Sequence, residues 1–410
     1  MVPTDARVTY ASVLRVREFR AVFVAELLSV AGDQVARLAV AALVYSRTGS
    51  ALLASGTYAC SYLSYLVAGP VLSTLADRYP RRGLMVACDL VRAGLIALLL
   101  LPGLPTAAVF AVLLAVAAVS PPFDGARGAL MPDILDGDAY PVGNALQNSV
   151  FTFAQVLGFA AGGSLIAALG VRGALLVDAV SFLASASILQ LWVQARSAPL
   201  PAAGQRSSLL ADTRAGARFV AGRPDLRWLL VLACTGMAVT IPVEGLAIPI
   251  AASLHHGPTA AGILTASIPA GYVLGAYVLT RLPPQRRLRL LLPLLLLNTA
   301  PMLLSPLLSS VAALTALWCA VGAAGALQIV ANAEYVVSVP PELRGRALGL
   351  ASTVLMGTQG VVLVAAGALS DVLDPRVVVA LVGATGLCVV PLLLRSTPDR
   401  VRFPQDPRAT

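Results

Sequence analysis

Three ionisable side chains interrupt the first long apolar run of the chain: Glu26, Asp33 and Arg37. Their spacings of seven and four residues put them on one face of a helix, with Ser29 and Gln34 close by. An ionised side chain at mid-bilayer costs at least about 2.5–3.5 kcal/mol, so such groups face the protein interior. A desolvated carboxylate takes up a proton more readily, and a neighbouring arginine opposes this. Asp33, one turn from Arg37, therefore reads either as a lasting ion pair or as part of a polar path. Glu26 has no basic residue within one turn in sequence, nor has Glu244, which Pro242, Gly245 and Pro249 frame. These two glutamates are the better proton carriers, with structural pairing inside a bundle as the alternative for each.

Further polar groups interrupt other apolar runs. Asp124 with Arg127, and Gln328, Asn332 and Glu334, would lie towards one mouth of a translocation path. Asp89 and Arg92, three residues apart, read as a structural charge pair, and Asp178 as a helix-packing residue off that path. Gly158, Gly162 and Gly163 in "GFAAGG" would let two helices approach closely. His255 and His256 have no Cys or carboxylate cluster beside them, so no metal site is expected. All 29 cationic residues are Arg, and without Lys there is no P-loop and no ATP-driven pumping by this chain. No enzyme chemistry and no cofactor are expected.

The elements that must hold these groups are membrane spans. The chain is 58% hydrophobic and 12% charged, with a mean hydropathy of +0.83, against about 45–50% apolar and a quarter charged in soluble domains. About 20 apolar residues cross the hydrocarbon as a helix. Twelve such runs fit, at 19–45, 51–74, 83–101, 106–128, 143–168, 172–194, 226–252, 260–280, 287–308, 311–338, 345–370 and 376–394. Barrel strands are excluded, because the runs are too long and do not alternate. The five cysteines lie inside these runs and read as buried free thiols.

Arginine placement sets the topology. With both termini in the cytoplasm, Arg47, Arg172 and Arg376 fall in outer loops and Arg37 and Arg92 within spans, while the other 24 of the 29 lie inside. The basic balance of +9 thus meets anionic lipid and calls for no nucleic acid. The tail containing Arg7, Arg15, Arg17 and Arg20 leads into a retained helix, with no cleavage site. Expected domains are an N-terminal six-helix bundle at 1–194, a cytoplasmic linker at 195–225 and a C-terminal six-helix bundle at 226–410. Within the linker, "SLLADTRAGARFV" could form a short amphipathic surface helix. The halves repeat at a shift of 204: Gln155 matches Gln359, Gly163 Gly367, Leu169 Leu373 and Arg172 Arg376. Six spans plus six, with a site between the halves, is a transporter plan.

The loop between spans two and three, "LADRYPRR", carries Asp77, Arg78, Arg81 and Arg82. An acid and three bases in this register resemble the signature of the major facilitator superfamily, with Ser73 and Pro80 in place of its two glycines. Four further stretches, "LLSVAGDQVARLAVAALVYSRTGS", "FDGARGALMPD", "LLVDAVSFLASA" and "VPPELRGRALGL", resemble the branch of macrolide-efflux and siderophore-export proteins. The resemblance implies an all-α integral membrane protein of two six-helix pseudo-repeats, with spans one, four, seven and ten lining a cavity. It implies that Asp77, Arg78, Arg81 and Arg82 form a cytoplasmic gate; topological anchoring is the plainer alternative. It also implies proton-coupled efflux of amphipathic small molecules across a bacterial inner membrane, by alternating access, as a monomer. Import of a nutrient by symport or uniport, or a non-transporting sensor or scaffold, are the other readings.

Overall fold

The computed structural model describes residues 9–72, 75, 78–196, 216–340 and 343–397. Helices cover each of the twelve expected spans, and no strand occurs among the described residues. In chain order the helices are α1 (Tyr10–Arg15), α2 (Arg17–Thr48), α3 (Ala51–Leu72), α4 (Arg81–Leu98), α5 (Thr106–Ala118), α6 (Ser120–Ile134) and α7 (Ala139–Trp192). Then come α8 (Pro224–Ser253), α9 (Pro258–Thr280), α10 (Pro284–Arg289), α11 (Leu291–Thr299), α12 (Val311–Gly325), α13 (Leu327–Ser338), α14 (Arg344–Ser370) and α15 (Pro375–Arg395). A short helical stretch spans 216–221, and the earlier part of the expected surface helix lies outside the described residues.

Local chemistry explains where the helices start and bend. Thr9 and Ser12 cap α1 reciprocally. Pro224, Pro258, Pro284 and Pro375 sit in the first turns of their helices, where a missing N–H costs nothing. Span four breaks between α5 and α6 beside Pro121 and Pro122, and span ten breaks between α12 and α13. Span nine finishes as a 3-10 helix, Ala300–Leu307, where prolines deny the α-helical bonds. Spans five and six form one run, α7, interrupted at Gly170 with φ 71° and ψ 175°. A side chain is strongly disfavoured in that left-handed conformation, so glycine makes the corner.

Helix starts recur within a few residues of the sequence shift of 204: α2 begins at 17 and α8 at 224, α7 at 139 and α14 at 344. Contact grouping yields two compact units, one of 1–39 with 64–204, the other of 40–63 with 205–410. The stretch 40–63 thus groups with the residues that follow the linker. The first unit packs around Phe19, Met85, Phe123, Leu130 and Leu189. The second packs around Leu226, Trp228, Leu291, Leu295 and Leu327. Large apolar side chains elsewhere point outward, among them Leu274, Tyr277 and Val278 on α9. Such outward-facing grease suits a hydrocarbon solvent. Cys388 is exposed in this way and Cys234 and Cys319 are half-buried, which corrects the expectation that all five thiols are buried: only Cys60 and Cys88 are, because the other three lie on helix faces that are not fully covered.

Candidate functional site

The fully buried charges among the described residues, Glu26, Asp89, Arg92 and Asp178, all belong to the first unit. Glu26 on α2 forms an ion pair with Arg127 of α6, which also holds Asp124 at 3.4 Å. Gln147 of α7 donates to the other Glu26 oxygen at 2.7 Å. Its basic partner therefore lies about a hundred residues away, on a neighbouring helix. Removing one partner of such a buried pair typically costs about 3–5 kcal/mol.

A second nest joins α2, α4 and α7. Arg92 reaches Asp89 at 3.4 Å, donates to the Val119 carbonyl at 3.4 Å and lies 4.8 Å from the centre of the Phe123 ring. Ser185 donates to the second oxygen of Asp89 at 2.6 Å. Asp33 interacts electrostatically with Arg37 and Arg92. Asp178, set apart in the sequence reading, turns into this nest and interacts with Asp33, Arg37 and Arg92. A methyl group on Gly32 would overlap Ser181 and lie 2.6 Å from Asp178 Oδ1, so the acid rests directly on the α2 backbone. The sequence signal that could have revealed it is this glycine beside Asp33. The same helix pair closes at Gly158, where a Cβ would meet the Ala31 carbonyl at 2.6 Å, and at Gly162, 3.2 Å from Val35 Cα. Gly163 is buried. Gln34 is buried with its Oε1 unpartnered.

Of the loop residues expected to form a gate, Asp77 lies outside the described residues and Arg78 is exposed. Arg81 pairs with Asp133 and donates to the Ala129 carbonyl at 2.8 Å, tying the start of α4 to the end of α6. Arg82 donates to the Val193 carbonyl at 3.1 Å, at the C-terminus of α7, where a cation also suits the helix dipole. Arg196 bonds Glu18 at 2.7 Å. Glu18, Asp133 and Arg196 complete this lattice, and sequence reading passed over all three because each contact joins residues far apart in the chain.

The second unit holds its polar groups differently. Glu244 is half-buried and accepts from the Tyr62 hydroxyl at 3.4 Å. Gln328 donates to the Ala233 carbonyl at 2.7 Å, so it ties α13 to α8. Asn332 is exposed, and Glu334 borders a cleft of about 130 Å³ with Thr280 and Arg287. Glycine seams dominate instead: a Cβ on Gly271 would lie 2.7 Å from Cys319 C, and Gly275 and Gly322 press equally hard on Ala323 and Ile268. Asp371, beyond α14, accepts from Ser50 Oγ at 2.9 Å and from the first amides of α3, the carboxylate an N-terminus calls for.

The sequence model of the Major Facilitator Superfamily matches residues 22–357 and 245–409. The chain belongs to that superfamily. Among relatives in it, the "Multidrug efflux pump Tap" of Mycobacterium tuberculosis is 27% identical over 365 residues, 85% of each chain. Tap of Mycolicibacterium fortuitum is 27% identical over 361 residues, 85% of this chain and 88% of its own. The MFS-type transporter YkuC of Bacillus subtilis is 30% identical over 183 residues, 42% of this chain and 41% of its own. Among solved structures, the nucleoside transporter NupG superposes with a TM-score of 0.73 at 12% identity, over 93% of this chain and all of NupG. A bacterial homologue of the iron transporter ferroportin, inward-facing, gives 0.67 at 16% identity, over 93% of this chain and 99% of its own. At those identities the structures speak for the fold. The superfamily member described here is thus a multi-pass membrane transporter and not an enzyme.

Proposed function

We propose that this transporter exports amphipathic small molecules from a bacterial cell in exchange for protons, with both termini in the cytoplasm. Similarity to Tap along 85% of each chain supports export. The excess of carboxylates over arginines around α2 supports proton coupling. Of these, the carboxylate-rich interior carries the most weight, because it is a property of this chain's own residues. An apolar cavity would hold the cargo's hydrocarbon part, and a cationic cargo would compete with protons for the carboxylates around α2. No cofactor is needed, because the proton gradient supplies the drive. The topology rests on the arginines, 24 of 29 of which fall on one side.

Purified protein in liposomes, given ethidium and an imposed pH gradient, tests this reading. Ethidium should accumulate on the side from which protons flow out, and reversing the gradient should reverse it. Accumulation that ignores the gradient would overturn proton coupling. Movement of ethidium together with protons would replace export by symport.

A further inference from the structure

We infer that Asp178 is the carboxyl that binds the coupling proton. This rests on the proton-exchange reading above and names the group that performs it. Asp178 is fully buried, its Oδ1 lies 3.4 Å from Ser181 Oγ, and its Oδ2 has no hydrogen-bond partner. A buried carboxylate oxygen without a donor is an unfavourable place for negative charge. The oxygen is, however, a ready place for a hydrogen.

Charge counting leads to the same atom. The groups facing this nest are Glu26, Asp33 and Arg37 from α2, Asp89, Arg92 and the thiol of Cys88 from α4, and Asp124 and Arg127 from α6. Arg127 is engaged by Glu26 and Asp124. That leaves Asp33, Asp89 and Asp178 against Arg37 and Arg92. Asp89 has Arg92 and the Ser185 hydroxyl, and Asp33 has Arg37 one turn away. Asp178 is the third acid, and one proton on it balances these five groups, while Arg127 serves its own two acids, of which Asp124 is partly exposed to solvent. Because it lies on the backbone of Gly32, beside Asp33, its ionisation sets it against that neighbour. A shift of α2 against α7 that opens Asp178 to water on one side releases the proton there, and the return shift follows its rebinding. The step moves one proton between water and Oδ2, with no other bond made or broken.

Asp178→Asn tests the assignment in the liposome assay with ethidium. The variant should lose accumulation driven by the pH gradient while retaining exchange of internal for external ethidium at equal pH. Driven accumulation at the wild-type level would overturn the inference and leave proton coupling itself intact. Wild-type accumulation that ignores the gradient would instead remove the reading on which the inference rests. Should the variant fail to fold, the wild-type protein in native membranes decides. Dicyclohexylcarbodiimide attacks protonated carboxyls in apolar surroundings, and Asp178 is the one acid between Arg172 and Arg196, so a single tryptic peptide reports on it. The adduct should form on that peptide and fade as the pH rises. An adduct confined to Glu26 or Glu244, or one on Asp178 that does not vary with pH, would overturn the assignment.

Discussion

Overlaying the two units at the sequence shift of 204 exposes how differently they are filled. Glu26 corresponds to Leu230, Asp33 to Met237, Arg37 to Ile241, Arg92 to Leu296 and Asp178 to Val382. Gly32 keeps its glycine, as Gly236, yet where Gly32 bears an acid, a Cβ on Gly236 would lie 3.1 Å from the Gln328 amide nitrogen. One backbone plan therefore carries buried charges in the first unit and, among the described residues, an uncharged interior in the second, where close glycine contacts join the helices. Ion pairs can exist in more than one charge state, whereas glycine seams fix the distance between helices. On the proposed exchange of cargo for protons, the first unit is the one whose buried groups can change charge.

The largest effect should come from placing a second-unit side chain in the first. Arg92→Met strands Asp89 and Asp33, and it should cost about 3–5 kcal/mol. Leu296→Met at the matching position should cost less than about 1.5 kcal/mol. Melting of the detergent-solubilised variants compares them, and equal losses would break the contrast.

Next in size is Gly271→Ala, which drives a methyl into the Cys319 carbonyl and should cost about 1–3 kcal/mol. A melting temperature unchanged from wild type would show that α9 and α12 can part freely. Smaller still is Trp228→Phe, which removes the indole bond to the Leu393 carbonyl, 2.9 Å long, and should cost about 1 kcal/mol in the same melt.

The smallest effect lies at a helix start. Asp374 caps α15 by accepting from the Arg376 amide at 2.8 Å, so Asp374→Ala should cost about 0.5–1 kcal/mol. Hydrogen bonding to Arg376 holds this carboxyl below its ordinary 3.8. A depressed folded value means that the contribution is present above the ordinary value and is lost as pH falls through the lowered one. Melting of wild type and variant should therefore converge on acidification below about pH 3.8. A difference that persists there would assign the loss to something other than the cap.

The spans were legible because each helix needs a long apolar run, and the bilayer fixes its length. The arrangement of the charges was only partly legible. Asp89 and Arg92 are three residues apart and their contact can be read from helical geometry, as can the approach of Gly158 and Gly162. Pairing across helices is another matter, since periodicity gives a face and not its neighbour. Glu26 therefore looked unaccompanied in sequence although Arg127 holds it, and Asp178 looked peripheral although it rests on Gly32. The second-unit acids showed the opposite pattern: Glu244 and Glu334 stood out as charges in apolar runs, yet one meets a tyrosine and the other edges a small cleft.

The corner at Gly170 bears on how the chain is made. Between two apolar runs it leaves a single non-helical residue, two positions before Arg172. At the expected outer surface, beside Arg172, water can satisfy the backbone groups that the corner frees. The two arms of α7 are therefore joined too closely for either to take up its place independently of the other.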